Sequence, residues 1–518
     1  MEEMNNYYPW SDPAPDVVPP VRKSFTFPTG VKEQLFAILA LVCGLAMCNF
    51  VLFGGFELGF GIAMCAYILC AAGYLLASGG RLSVYSSILL LLSLGISAGF
   101  GRSDDNFVKF VMVCFLTVSV NLGLCLMAGQ NRRRPGGVGS LVDAGRAVFN
   151  MGYGQLPKAV GGLFGSLKFK CSIAKVIGSV AIGLVILLPL LGIVISLLVR
   201  ADAAFENLMK GFPKFDLGET LATIVFGAVV FFVMYARNVA LVKAEKPAPA
   251  SVGKGRGLNK ITMNTALIGL CLVYGLYLVS QLAYFVSGFA GIVPENYTSA
   301  EYARRGFFEM AWLCAINMGV IVLAVTLVRK SGGRAPLSTR LLCLFIGFVT
   351  LFIVAAASAK MWTYIGDYGL TRLRVMTQLI IIFFGLMALT VSISLFMKKA
   401  RYMPVLLIGA LLIGGSAFWV DVDTLVAAYN VNAYQTGKLE TVDVPYLGTL
   451  GSGAIPQIAK LVEDADPEVA QKAQKVIQNS DAGIEDFRDW NYAEWCAKSY
   501  VPEQTASEGA AVEDYQAY

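Results

Sequence analysis

Long apolar runs separated by brief polar breaks dominate the chain from residue 35 to residue 420. At 1.5 Å of rise per residue, about 20 helical residues cross the ~30 Å hydrocarbon core of a bilayer. Runs of that order stand at 35–53, 58–77, 83–100, 107–128, 176–199, 221–236, 265–290, 307–328, 341–359, 375–397 and 403–420. The pattern predicts an all-α polytopic membrane protein with about eleven transmembrane helices. The run at 221–236 is short unless Gly218 to Thr220 join it, and Pro189 predicts a kink in the fifth span. Loops as brief as Gly54-Gly55-Phe56-Glu57 make the first four spans antiparallel hairpins.

The polar stretches divide the chain further. Residues 1–34 read as a disordered cytoplasmic tail without the ordered basic, apolar and small-residue regions of a signal peptide. A four-helix membrane segment, 35–128, leads into a basic connection, 129–175. There Arg132, Arg133 and Arg134 precede Leu141, Val142, Gly145, Val148 and Phe149 at near-helical spacing. An amphipathic segment on an anionic leaflet fits this, with Arg132–Arg134 as its membrane-surface residues; equally, those arginines serve only to set topology. A seven-helix membrane domain, 176–420, follows.

Beyond Asp421 the composition turns acidic and soluble. Residues 421–501 read as a small helical domain in which 454–473 resembles one helical hairpin of the HEAT kind, and 502–518 as a disordered end. One such hairpin cannot bury its own face, so it must pack on the helix beginning near Val422, on Trp490 and Trp495, or on the membrane domain. Placing the N-terminus in the cytoplasm puts the majority of the 41 Lys and Arg residues on the cytoplasmic side. An odd span count then puts the C-terminal domain outside.

Composition narrows the chemistry. With 56% hydrophobic and 15% charged residues the chain has too little charge to clothe a soluble protein of its size. The net charge of +6 sits in short clusters between spans rather than on one basic face, which argues against nucleic acid. The absence of histidine removes the commonest general base and metal ligand. No Cys-x-x-Cys pair occurs, nine of the eleven cysteines lie in apolar runs, and no metal or cofactor is expected. No Asp or Glu stands in the middle of a span, which weighs against a proton-coupled carrier.

The candidate chemistry lies in the expected outer loops. Before the eighth span, Glu301, Arg305 and Glu309 repeat every four residues beside Arg304, a ladder suited to one helix face. The loop before the tenth span, 360–374, combines Tyr364, Asp367 and Tyr368 with Arg372 and Arg374, and Gln378 follows one turn on. Outer arginines oppose the topological bias, and guanidinium forks suit phosphate or carboxylate. Arg304, Arg305, Arg372, Arg374, Asp367, Tyr364 and Tyr368 are therefore candidate ligand-binding residues for an anionic lipid or envelope polymer. The alternative is that these arginines pair with Glu301, Glu309, Asp367 and Asp202 to lock helix ends, with Arg200 and Asp202 as a further structural pair.

Three ordered motifs carry a resemblance: Glu301-Tyr302-Ala303-Arg304-Arg305-Gly306-Phe307; Tyr364-Ile365 with Tyr368-Gly369-Leu370-Thr371-Arg372-Leu373-Arg374; and Tyr429-Asn430-Val431 with Trp490-Asn491-Tyr492. Over roughly 180–500 the chain resembles the bacterial membrane-protein family called domain of unknown function 4173, related to 4153. The likeness implies a multi-pass protein of the bacterial cytoplasmic membrane and brings no activity or catalytic residue.

These readings lead to a non-enzymatic membrane component that binds an anionic envelope ligand or another membrane protein at its outer face. A transporter or lipid flippase is the alternative, favoured by helix count and the Gly409–Gly415 region, although no internal repeat supports alternating access. An enzyme acting on a lipid-linked substrate is third. Its multi-spanning glycosyltransferase form is disfavoured by the tiny first outer loop, and Asp367 is the carboxylate to test as a base.

Overall fold

The computed structural model describes residues 30–102, 105–131, 139–159, 194, 217–244, 258–289, 307–329, 334–397, 402–480 and 487–501; side chains are not described at 217, 281–289, 307–309 and 487. The apolar runs fold as α1 (Val31–Phe53), α2 (Leu58–Ala77), α3 (Val84–Ala98) and α4 (Asn106–Ala128). After the short α5 (Gly139–Arg146) come α6 (Leu217–Lys243), α7 (Lys260–Phe289), α8 (Phe307–Leu327), α9 (Leu337–Tyr368), α10 (Arg372–Ser394) and α11 (Tyr402–Val420). Nine of these are long and apolar enough to cross a membrane among the described residues, and α3 is a shorter apolar helix. The expected span 176–199, with Pro189, lies outside the described residues apart from Val194.

Several boundaries differ from the sequence expectation: α1 begins at Val31 and so takes in residues 31–34 of the expected tail, α7 begins at Lys260, and two further differences bear on the site. The short run at 221–236 is part of a 27-residue helix, because Arg237 and Asn238, which end the apolar run, are buried and hydrogen-bonded inside the bundle. The expected loop 360–374 is mostly helix. At 32 residues, α9 is ~48 Å long and outruns the hydrocarbon core. Only Gly369 to Thr371 turn the chain before the Thr371 hydroxyl caps α10.

The spans form two packed groups. One apolar core joins α1–α4, α6 and α11, and a second joins α7–α10. In the first, α1 and α6 meet backbone to backbone: a methyl on Gly44 would lie 3.0 Å from the Phe231 nitrogen and 3.1 Å from the Gly227 oxygen. Small residues at such a crossing give helices in lipid the dispersion contact that water cannot drive.

Successive loops gather at opposite ends. At one end Lys243 pairs with Glu33 at 3.1 Å, Gln130 donates to the carbonyls of Leu241 and Ala244, and Leu258 bridges Val328. At the other, Arg488 of the tail pairs with Glu219 at 2.8 Å and lies over Phe53. The first is the basic end and the second the tail end. The connection also departs from a free surface segment: α5 and the π-helical turn Ala147–Gly152 bury Ser140, Asp143, Ala144, Ala147 and Met151 against α4 and α6.

The tail begins at once with α12 (Val422–Gln435), followed by α13 (Val444–Gly448), α14 (Ile455–Ile458), α15 (Pro467–Gln478) and α16 (Tyr492–Ala497). The HEAT-like hairpin forms as a broken helix over 452–461 followed by α15. Its Ile455, Ile458, Leu461, Ala473 and Ile477 pack on Val422, Val426 and Val431 of α12 and on Ala497, and Leu370, Val375 and Leu379 of the bundle lie against the same core.

Candidate functional site at the tail end

Arg372 is the centre of the junction between bundle and tail. Its Nε and Nη2 donate to the two carboxylate oxygens of Asp423 at 2.7 and 2.6 Å, and Asp105, at the start of α4, lies 3.1 Å from Nε. The fork thus joins three elements: α10, the Asp105 cap of α4, and α12. Its backbone nitrogen donates to the Tyr446 hydroxyl at 2.9 Å. The Asp423 side chain is only 2% exposed. Burial pushes its carboxyl up to about 6; Arg372 opposes that rise, and Asp421 and Asp105 add to it.

The neighbouring turn is gripped by the tail. Asn430 accepts from the Leu370 nitrogen and donates to the Leu370 oxygen, both at 2.7 Å, so one amide satisfies both polar groups of that residue. Gly369 has φ 73°, and a methyl there would lie 2.5 Å from Asn430 Oδ1. Arg374 donates to the carbonyls of Tyr368 and Gly369 and lies 3.9 Å from the Tyr364 ring centre. Gln378 donates to Ser358 at 3.1 Å. Exposed Asp367 makes no ion pair among the described residues.

A second clamp runs through α4. Lys109, 1% exposed, pairs with Glu57, which accepts from Asn491 of the tail at 3.0 Å. Tyr492 donates its backbone N–H to the Gly101 oxygen at 2.7 Å. Two of the three sequence motifs are therefore docking surfaces: the 364–374 turn is held by Tyr429-Asn430-Val431, and Trp490-Asn491-Tyr492 seats on the loops before α2 and α4. Of the first motif, Glu301, Arg304 and Arg305 lie outside the described residues, as do Arg132, Arg133, Arg134, Arg200 and Asp202. Glu309 lies on α8, but its side chain is not described.

Beside these clamps the tail and bundle enclose a cleft of about 680 Å³, lined by Arg102, Val420, Asp421, Tyr492, Trp495 and Lys498 among others. Arg102 is anchored by Nε to the Trp419 carbonyl at 3.0 Å and lies 4.5 Å from the Tyr492 ring centre. Its two terminal nitrogens make no hydrogen bond among the described residues. Asp421 has φ 56°, a left-handed backbone that non-glycine residues adopt at a cost of about 1–3 kcal/mol. Its carboxylate accepts from Thr424, whose hydroxyl also lies 3.0 Å from the Gly453 carbonyl.

A family model matches residues 36–461, most of the chain. The chain belongs to the family described as Domain of unknown function (DUF4153). The loop motifs point to family 4173 and its relative 4153; the match shows the relative and not 4173, and its extent differs from the expected 180–500. It reaches back over the first four helices, which the motifs leave out, and it stops before Trp490-Asn491-Tyr492. No curated protein and no solved structure matches the chain. With its apolar helices the family member is an integral multi-pass membrane protein.

Sequence reasoning passed over Asp105, Asp423, Lys109, Glu57 and Arg102. Lys109 carried a usable signal, since a lysine inside an apolar run needs a partner. The others lie in loops or beyond the last span, where spacing names no partner.

Proposed function

We propose that this protein is a non-enzymatic component of the bacterial cytoplasmic membrane, N-terminus inside and tail outside, that binds an anionic ligand in the cleft between tail and bundle. The observation that carries the reading is Arg102. Its guanidinium is held at Nε and stacked on Tyr492, while its terminal fork opens at a cleft that also presents Lys498 and Trp495. A planar, pre-oriented fork suits a phosphate-like group, and aromatic walls suit the apolar part of an amphiphile at headgroup depth. Arg372 directs its fork at Asp423 and Asp105, and one terminal nitrogen of Arg374 is held by the carbonyls of Tyr368 and Gly369, so in this reading the anion-binding role expected of them passes to Arg102 and Lys498. The clamps through Arg372 and Lys109 support it by holding one wall of the cleft against the other.

The test is native mass spectrometry of protein extracted with its own lipids, comparing wild type with Arg102→Ala/Lys498→Ala. Loss of a specific co-purifying anionic amphiphile is expected, with the thermal midpoint little changed. An identical lipid profile in the two proteins would overturn the reading.

A further inference from the structure

The geometry points to a second lipid contact at the opposite end of the molecule: α5 and the π-helical turn after it form a segment inserted in the leaflet, seated among acyl chains with anionic headgroups at its rim. Its depth can be read from α6. A methyl on Gly152 would touch Arg237 Cβ at 3.7 Å and Val233 at 3.8 Å. These residues precede Lys243 by six and ten positions, so the turn lies about 9–15 Å further into the bundle than Lys243, along the axis of α6. Lys243 is part-exposed and paired with Glu33 at the basic end. A single leaflet's hydrocarbon is only ~15 Å thick, so the turn lies below headgroup level.

The segment has two faces. One is buried against α4 and α6, as described above. The other presents Val142, Phe149 and Tyr153, which are 56%, 67% and 51% exposed, with the rings of Phe149 and Tyr153 6.2 Å apart. Apolar side chains turned away from the protein at that depth fit acyl chains and do not fit water. Charge selects the type of leaflet: across 129–175 the sequence holds Asp143 as its sole carboxylate against a run of Lys and Arg, and Lys158 at the segment's far end is exposed. Basic residues flanking an apolar segment along the chain match anionic phospholipid.

The test uses the full-length protein in vesicles of phosphatidylcholine with a minor share of phosphatidylglycerol. The photo-crosslinking residue benzoylphenylalanine replaces Phe149, or separately Val142, and the adducts are identified by mass spectrometry. Phospholipid adducts are expected at both positions and none at Gln471, exposed on the tail. Phosphatidylglycerol should be enriched about fivefold over its bulk share, the effect of roughly one lysine near an anionic surface, and Lys158→Ala should lower that enrichment. Crosslinks to a second copy of the chain, or no adducts at either position, would overturn the inference. Lipid adducts in the bulk headgroup ratio would remove the anionic preference. Because the cleft lies at the other end, Arg102→Ala leaves these adducts unchanged.

Discussion

Replacing Arg372 by alanine leaves two carboxylates facing each other across the bundle–tail junction. Their side chains are 6% exposed in Asp105 and 2% in Asp423, so neither is solvated in compensation. Removing one partner of a buried ion pair costs about 3–5 kcal/mol. Arg372 itself is 38% exposed, so water entering its place relieves part of that, and about 2–3 kcal/mol is expected. At 1.4 kcal/mol per factor of ten, local opening of the junction should rise roughly thirty- to hundredfold. Hydrogen exchange of the α12 amides in detergent-solubilised full-length protein reads this directly. Arg372→Lys should lose less, since it keeps the charge and gives up the two-pronged contact. Arg372→Ala/Asp423→Asn should recover more than half of the loss, because it removes the buried charge of Asp423 that the fork neutralised. If α12 exchanges at the wild-type rate in Arg372→Ala, or if the double variant opens as readily as the single one, the clamp does not hold the tail.

The junction should also depend on pH. Native Asp423 takes up a proton near 6, whereas an unfolded aspartate does so near 3.9. The stability tied to that proton is complete below about 4 and is lost as pH rises through 6, a change on the order of 3 kcal/mol. The thermal midpoint of the tail should therefore fall between pH 5 and pH 7, and Asp423→Asn should flatten the profile. Gly369→Ala places a methyl 2.5 Å from Asn430 at a left-handed backbone position; proteolysis of the tail should quicken at least tenfold, and a wild-type rate would contradict the strain. Lys109→Met removes the buried cation paired with Glu57, so the thermal midpoint should drop, and Lys109→Met/Glu57→Gln should regain most of it. A cysteine at Lys498 should react with a membrane-impermeant maleimide in intact cells; labelling only after lysis would reverse the proposed orientation.

The helices were legible in the sequence because lipid imposes a one-dimensional rule. A span must satisfy its own backbone hydrogen bonds and be apolar for some 20 residues, and both conditions are local. That rule read α2 and α4 almost to the residue, and α1 at its C-terminal end. It failed at α6 and α9, where helix continues past the apolar run because buried partners accept Arg237, or because the helix projects out of the bilayer to meet the tail. The 364–374 and 490–492 motifs stood out by composition, yet their meaning was hidden. Asn430 grips Leu370 from 60 positions away, and Asn491 reaches Glu57 across more than 400.

Fold class thus belongs to the sequence alone, since hydropathy is a property of each segment. Which arginine is engaged and which presents an open fork belongs to the tertiary structure. Arg372 and Arg102 look equally available along the chain, and only folding sets Asp423 and Asp105 against the first while leaving the terminal nitrogens of the second at the mouth of a cleft. The pairing of distant charges is decided by how helices from separate hairpins pack, and no spacing rule within one segment encodes that.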